Sequence, residues 1–161
     1  MTNQAEPPQQ PVRQADDLLD PGNFAEAVKT YDKALAHDPR DVHCLINKGL
    51  ALGDLGRNED ALKCSESALK VDPKDAVAWL NKGNALAALE RHDEALASYD
   101  RALEIDDRLA RAWYNKGDEL GRQQRIIEAK ACFENAYELG LSEAQEMISR
   151  CDQILMNEYY G

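Results

Sequence analysis

The residues best placed to do chemistry are three asparagines, Asn47, Asn81 and Asn115, each opening the tripeptide Asn-Lys-Gly and spaced 34 residues apart. A side-chain amide offers both donors and acceptors, so it can pair with the peptide group of an extended chain without reading its sequence. Three at matching places would form a ladder for holding a backbone. The alternative is that the same amides bond to the preceding helical turn or to water. Other chemistry is thin. His37, His43 and His92 have no metal-ligand spacing with one another or with Cys44, Cys64, Cys132 and Cys151, so no metal site is expected. There is no glycine-rich phosphate loop and no Gly-x-Ser-x-Gly elbow, and no cofactor is expected. Carboxylate pairs such as Asp16-Asp17 and Asp106-Asp107 read as turn and capping residues. The expectation is a protein with no catalytic residues, not an enzyme.

Composition narrows the partners. The chain has 161 residues and a formal charge of −11, which argues against nucleic acid, whose phosphates require a basic face. Solvated helix faces rich in Glu and Asp account for the acidic balance without invoking a basic ligand. No run approaches 18 apolar residues, and residues 1–20 lack a basic start followed by an apolar stretch. No membrane association is expected, and a cytoplasmic setting is. The four cysteines are widely spaced without a Cys-x-x-Cys pair, which suits reduced, buried thiols.

The elements that position the asparagines follow from the period. Strand formers are sparse and helix formers abundant, so the fold class is all-α. Residues 1–10, with Pro7, Pro8 and little that is apolar, read as an extended lead-in. A short helix from Pro11 to about Leu19 precedes the turn Asp20-Pro21-Gly22-Asn23, and Phe24 to His37 forms the next helix. Further helices are predicted at about 42–54, 59–71, 76–88, 93–105, 110–122 and 127–139. Four blocks result, at 8–41, 42–75, 76–109 and 110–143, whose twentieth position is always Ala (Ala27, Ala61, Ala95, Ala129) and whose twenty-seventh is too (Ala34, Ala68, Ala102, Ala136). Gly49, Gly83 and Gly117 sit in mid-helix, where glycine costs about 1 kcal/mol relative to alanine. Close approach of two helices, with those alanines facing the gap, is the expected compensation. Residues 142–157 form a last helix, Ser142 and Gln145 making a capping box and Met147, Ile148, Cys151, Ile154 and Leu155 an apolar stripe. It is read as a cover for the end of the array, with 158–161 as a tail.

A 34-residue period with Trp79 or Trp113 at the fourth position, Gly at the eighth, Ala at the twentieth, Tyr31, Tyr99 or Phe133 at the twenty-fourth, Ala at the twenty-seventh and Pro39 or Pro73 at the thirty-second resembles the tetratricopeptide repeat. Departures exist: Pro11 and Ala15 in the first block, Ser65 at the twenty-fourth position of the second, Leu141 in place of the last proline, and Lys48, Lys82 and Lys116 at a position the family usually fills with leucine. The resemblance implies a single array over 11–157, a right-handed superhelical α-solenoid of helix-turn-helix repeats with a concave groove that binds protein or peptide. Its groove positions fall here on Arg13, His43, Ile46, Asn47, Leu50, Leu80, Asn81, Asn84, Arg111, Tyr114, Asn115, Asp118 and Arg122.

Within that set Leu80 and Tyr114 offer an apolar seat, and Arg111 and Arg122 oppose the acidic Asp16, Asp20 and Asp54, which suits an acidic group near Arg111 unless these are simply solvated charges. The clamp by which similar repeats capture the acidic tails of heat-shock chaperones is absent, since no frame of blocks matches more than two or three of its five positions. Two readings follow. One is a non-catalytic adaptor or scaffold that takes a peptide segment of a partner in the groove. The other is a self-associating structural repeat, a homo-oligomer whose groove is incidental.

Overall fold

The computed structural model describes residues 23–160, with side chains through Asn157. The lead-in over 1–10, the helix over 11–19, the turn before Asn23, and Arg13, Asp16 and Asp20 lie outside the described residues. So do the side chains of Tyr159 and Tyr160. Every regular element among the described residues is helical. They are α1 (Phe24–His37), α2 (Val42–Asp54), α3 (Asn58–Val71), α4 (Ala76–Ala88), α5 (His92–Ile105), α6 (Ala110–Arg122), α7 (Ile126–Glu138) and α8 (Ala144–Tyr160). The chain divides into two compact units, one ending at Pro73 and one beginning at Lys74.

In the first unit α1 packs on α2 and α2 on α3. Tyr31 and Ala27 of α1 are fully buried, as are Cys44 and Ala51 of α2 and Ala68 of α3. Asp38, held extended before Pro39, stops α1 and accepts a bond from the backbone N–H of Arg40 at 3.0 Å. Asp41 then caps α2, its carboxylate accepting from the N–H of Cys44 at 3.0 Å. Lys48 does not simply carry its charge into water. Its Nζ lies 2.6 Å from Asp32 of α1, so the lysine at the atypical position ties one helix to the next.

The second unit repeats the plan. The pairs α4–α5 and α6–α7 are hairpins, α5 packs on α6, and α8 packs on α7. Asp75 caps α4 through the N–H of Ala78 at 2.7 Å. Asp106 forms the same turn as Asp38, accepting from the N–H of Arg108, although no proline follows it. The side chain is therefore sufficient for the stop. Lys116 pairs with Asp100 at 2.6 Å, as Lys48 does with Asp32, and Lys130 of α7 pairs with Asp152 of α8 at the same distance. The turns inside the hairpins use left-handed backbone at Glu90 (φ 60) and Gln124 (φ 63), where the first unit has Gly56.

The glycines do not face alanines in the way expected from sequence. A Cβ on Gly83 would stand 2.7 Å from Cδ1 of the Tyr99 ring, and one on Gly117 would stand 2.8 Å from Cε1 of Phe133. The large aromatic of the second helix, not a small residue, fills the space that glycine leaves. At Gly49, where Ser65 replaces the aromatic, a Cβ would meet Cys64 Cβ at 3.2 Å. Of the alanines in the two columns, Ala27, Ala61, Ala68, Ala95, Ala102, Ala129 and Ala136 are buried and Ala34 is half-buried.

The last helix begins at Ala144, two residues later than expected, after the N–H of Ala144 bonds back to Leu141 O and that of Gln145 to Ser142 O. It also continues through Tyr160, since no glycine or proline interrupts it before Gly161. Ala144 and Cys151 are buried in a cluster with Leu120, Ala129, Cys132, Phe133 and Ala136, with Met147 and Ile148 packed against it. Gln145, Ser149 and Gln153 face solvent, the polar outer side that an array end needs. Ile154 does not join the buried stripe. It is 41% exposed.

Candidate functional site

Of the expected groove residues in the first unit, Asn47 bonds within its own helix. Its Nδ2 and His43 Nε2, one turn earlier, are 3.1 Å apart, which is the preceding-turn alternative for these asparagines. Leu50 is exposed at 42%.

In the second unit α4 and α6 bring a polar cluster together. Asn81 and Asn84 are three residues apart, and so share one face of α4; Asn115, Asp118 and Arg122 share one face of α6. Asn115 Nδ2 donates to Asn84 Oδ1 at 2.7 Å, and the Tyr99 hydroxyl donates to the same oxygen at 3.1 Å. Tyr99 is buried, which together with the charges of Glu119 and Asp118 pushes its phenol well above the ordinary range, so it stays a neutral donor. With both lone pairs of Asn84 Oδ1 engaged, the amide is turned one way round. The hydrogen-bonding capacity outside this network is the two N–H donors of Asn84, and Oδ1 with one N–H of Asn115. That set matches a peptide group, one carbonyl and one N–H, on a half-buried surface.

The neighbours are less uniform. Leu80 is only 7% exposed, so it contributes to the core and offers almost no seat to a ligand. Tyr114 does stand at the surface in part, its ring 5.3 Å from Phe133 in an edge-to-face arrangement. Arg111 pairs with Glu143 at 2.5 Å, an exposed pair that an incoming carboxylate could exchange with at small cost. Asp118 is half-buried and its carboxyl is pushed up by that burial, against the pull of Arg122 and Arg150.

Sequence reasoning missed three contributors. Tyr99 reads as a packing aromatic, and nothing in its spacing marks the hydroxyl that orients Asn84. Glu119 is 4% exposed, with His92 Nδ1 2.7 Å from one carboxylate oxygen and Arg122 Nε 3.6 Å from the other. Its signal was available: Glu119 falls seven residues after buried Ala112, on the inward face of α6. Arg150 of α8 lies over Met147, its Nη1 3.9 Å from the sulfur, and lines a cavity of about 320 Å³ with Asp118 and Arg122. The four cysteines are free and buried, and burial raises the thiols of Cys64, Cys132 and Cys151, so these three are not set up as nucleophiles. Among the described residues no His, Cys, Asp or Glu cluster could hold a metal ion, and no helix is long and apolar enough to cross a membrane.

Models of the tetratricopeptide repeat match residues 12–52, 46–110 and 110–139. The chain belongs to the tetratricopeptide repeat family. No curated protein matches it. Among solved structures it is similar to TTC0263, a thermophilic tetratricopeptide repeat protein of Thermus thermophilus, with 19% identity, a TM-score of 0.82, and 92% of this chain and 83% of that one covered. It is also similar to MamA residues 41 to end from Desulfovibrio magneticus RS-1, at 23% identity and TM-score 0.73, covering 84% and 77%. A third likeness is the first tetratricopeptide repeat domain of Spaghetti (RPAP3), bound to an HSP90 peptide, at 23% identity and TM-score 0.69, covering 74% and 96%. These likenesses carry the fold: tetratricopeptide helix-turn-helix repeats of the α-solenoid class. The tetratricopeptide repeat is generally an interaction module, and this chain carries protein binding as its expected class of work.

Proposed function

We propose that this tetratricopeptide repeat protein is a non-catalytic cytoplasmic adaptor that holds a peptide segment of a partner protein against the face of α4 and α6. The observation that supports the reading best is the bond from Asn115 to Asn84, fixed from behind by Tyr99. It presents amide donors and an acceptor in a set orientation, so part of the ordering cost of binding is met before the ligand arrives. Amides grip a backbone and leave selectivity to Arg111, Tyr114, Asp118 and Arg122. The peptide differs in chemistry from the HSP90 peptide held by the RPAP3 domain, because Ile46, Leu50 and Leu80 stand where the chaperone-binding clamp carries polar or basic groups. The net charge of −11 supports a protein partner over nucleic acid.

The test is a pull-down with the immobilised full chain, followed by affinity measurement for the recovered partner. Asn81→Ala with Asn115→Ala should weaken binding at least tenfold while circular dichroism stays unchanged. Undiminished affinity overturns the reading. Self-association is the second reading, favoured by exposed Ile127 (73%) and Met156 (61%). Sedimentation at micromolar concentration showing only monomer removes it.

A further inference from the structure

The cavity between α6, α7 and α8 is walled by Ile126, Phe133, Met147, Cys151 and Ile154, with Asp118, Arg122 and Arg150 at its edge. Its volume of about 320 Å³ is at the small end for ligand pockets and has room for a large side chain. We propose that it is a socket for one apolar side chain of a bound peptide, with Arg122 and Arg150 receiving a carboxylate carried by the adjoining residue. This rests on the reading that a peptide lies along α4 and α6, and names what that peptide must carry where it reaches α8.

Three features converge on this occupant. Ile154 belongs to the apolar stripe of α8 yet is 41% exposed, because it faces the cavity and not the packed core. Gly121 lines the same cavity, and a Cβ built on it would meet nothing within 4 Å. It therefore differs from Gly83 and Gly117, which an aromatic ring requires: Gly121 keeps the helix cost of glycine with no packing need, and the effect is to leave the cavity open. Gly53, at the matching position two blocks earlier, also has nothing within 4 Å and is exposed. The third feature is charge. In a chain with net −11, two arginines and one aspartate meet at this edge. Arg122 has a long contact to Glu119, at 3.6 Å, Arg150 lies on the sulfur of Met147, and both feel the charge of Asp118 beside them. Planar guanidinium groups in that state are suited to a carboxylate. A basic neighbour to the apolar side chain would meet like charge and be rejected.

The test uses the full chain labelled with 15N and at Ile and Met methyl groups, titrated with blocked tetrapeptides and followed by NMR. Acetyl-Gly-Leu-Glu-Gly-amide should shift the methyl signals of Ile126, Met147 and Ile154 and saturate. Replacing the glutamate of the probe by lysine should weaken it at least fivefold, and replacing its leucine by alanine should abolish saturation. In the protein, Gly121→Leu should fill the socket and eliminate binding while the chain folds normally, and Arg150→Glu should weaken binding about tenfold. Equal binding of the lysine probe, or binding that survives Gly121→Leu, overturns the proposal. Shifts confined to the side-chain amide signals of Asn84 and Asn115 would overturn the socket and leave peptide binding on α4 and α6 standing. Saturating methyl shifts, with partner affinity indifferent to Asn81→Ala and Asn115→Ala, would uphold the socket and remove that wider reading.

Discussion

The Tyr99 ring occupies the space beside Gly83 in which any other residue would place its Cβ. The repeated glycine is therefore required by an aromatic partner, and the requirement varies along the chain with that partner. Gly83→Ala forces Cβ against a ring that is itself buried, so it should lose about 1–3 kcal/mol through overpacking. Gly117→Ala, against Phe133, should fall in the same range or slightly below. Gly49→Ala meets Cys64 Cβ at 3.2 Å and otherwise only ordinary contacts with Ala61 O and Ser65 Oγ, and the gain in helix propensity, about 1 kcal/mol, offsets them. Urea unfolding of the three variants should rank Gly49→Ala as the most stable by a clear margin. Three equal losses would mean that the aromatic is not what the glycine serves.

Glu90 and Gln124 adopt left-handed backbone at the place where the first hairpin has Gly56. That conformation costs a side-chain-bearing residue roughly 1–2 kcal/mol, against about 0.5–1 kcal/mol for the extra freedom that glycine loses on folding. Glu90→Gly and Gln124→Gly should each stabilise the protein slightly, by up to about 1 kcal/mol. Thermal unfolding of the double variant should show a higher Tm than the parent. A lower Tm would mean that the side chains contribute contacts which outweigh the strain.

Period and helical phase were legible in the sequence because they are properties of a single helix pair repeated. Helices α2, α4 and α6 lie where the spacing of Asn-Lys-Gly puts them, α2 and α4 with an Asp cap and α6 without one. What could not be read was anything that depends on distance between helices. Asn47 and Asn115 occupy equivalent positions, yet one bonds to His43 in its own turn and the other to Asn84 on a neighbouring helix. The residue that stands to Asn47 as Asn84 stands to Asn115 is Asp16, 31 residues earlier, and it lies outside the described residues. Leu80 shows the same limit, since its place in the repeat suggests a surface role while packing buries it. Ile154 shows the reverse, an apolar residue in phase with a buried stripe that a cavity leaves exposed.

His92 and Glu119 join α5 to α6 across a 2.7 Å contact in which the carboxylate is almost fully buried. His92→Ala removes the nearest partner and leaves Glu119 with only the distant Arg122, so it should cost about 1–3 kcal/mol, the penalty of an under-satisfied buried acceptor. Replacing the acid as well, with Glu119→Leu in the His92→Ala background, should recover most of that loss, since no buried charge remains. The double-mutant cycle read by urea unfolding checks both statements. Additive losses would mean that the two side chains act independently.

Burial holds the Asp118 carboxyl above its ordinary value of 3.8, and the charges of Arg122 and Arg150 only partly oppose this. The folded state thus binds that proton more tightly than the unfolded chain does. The contribution of Asp118 to stability is fully present below the unfolded value and is lost as pH rises through the folded one, which makes the ionised side chain a liability near neutrality. Asp118→Asn keeps the shape and removes the charge. Its Tm should exceed that of the parent at about pH 7, and the difference should shrink as the parent is taken to about pH 3, where Asp118 is protonated in both states. The same substitution removes the one carboxylate at the edge of the cavity lined by Arg122 and Arg150, so the leucine–glutamate probe should bind more tightly to it than to the parent. A gain in Tm that persists undiminished at low pH would show that amide packing, not charge, is responsible; a variant with weaker probe binding would show that Asp118 orients the arginines and does not compete with the ligand.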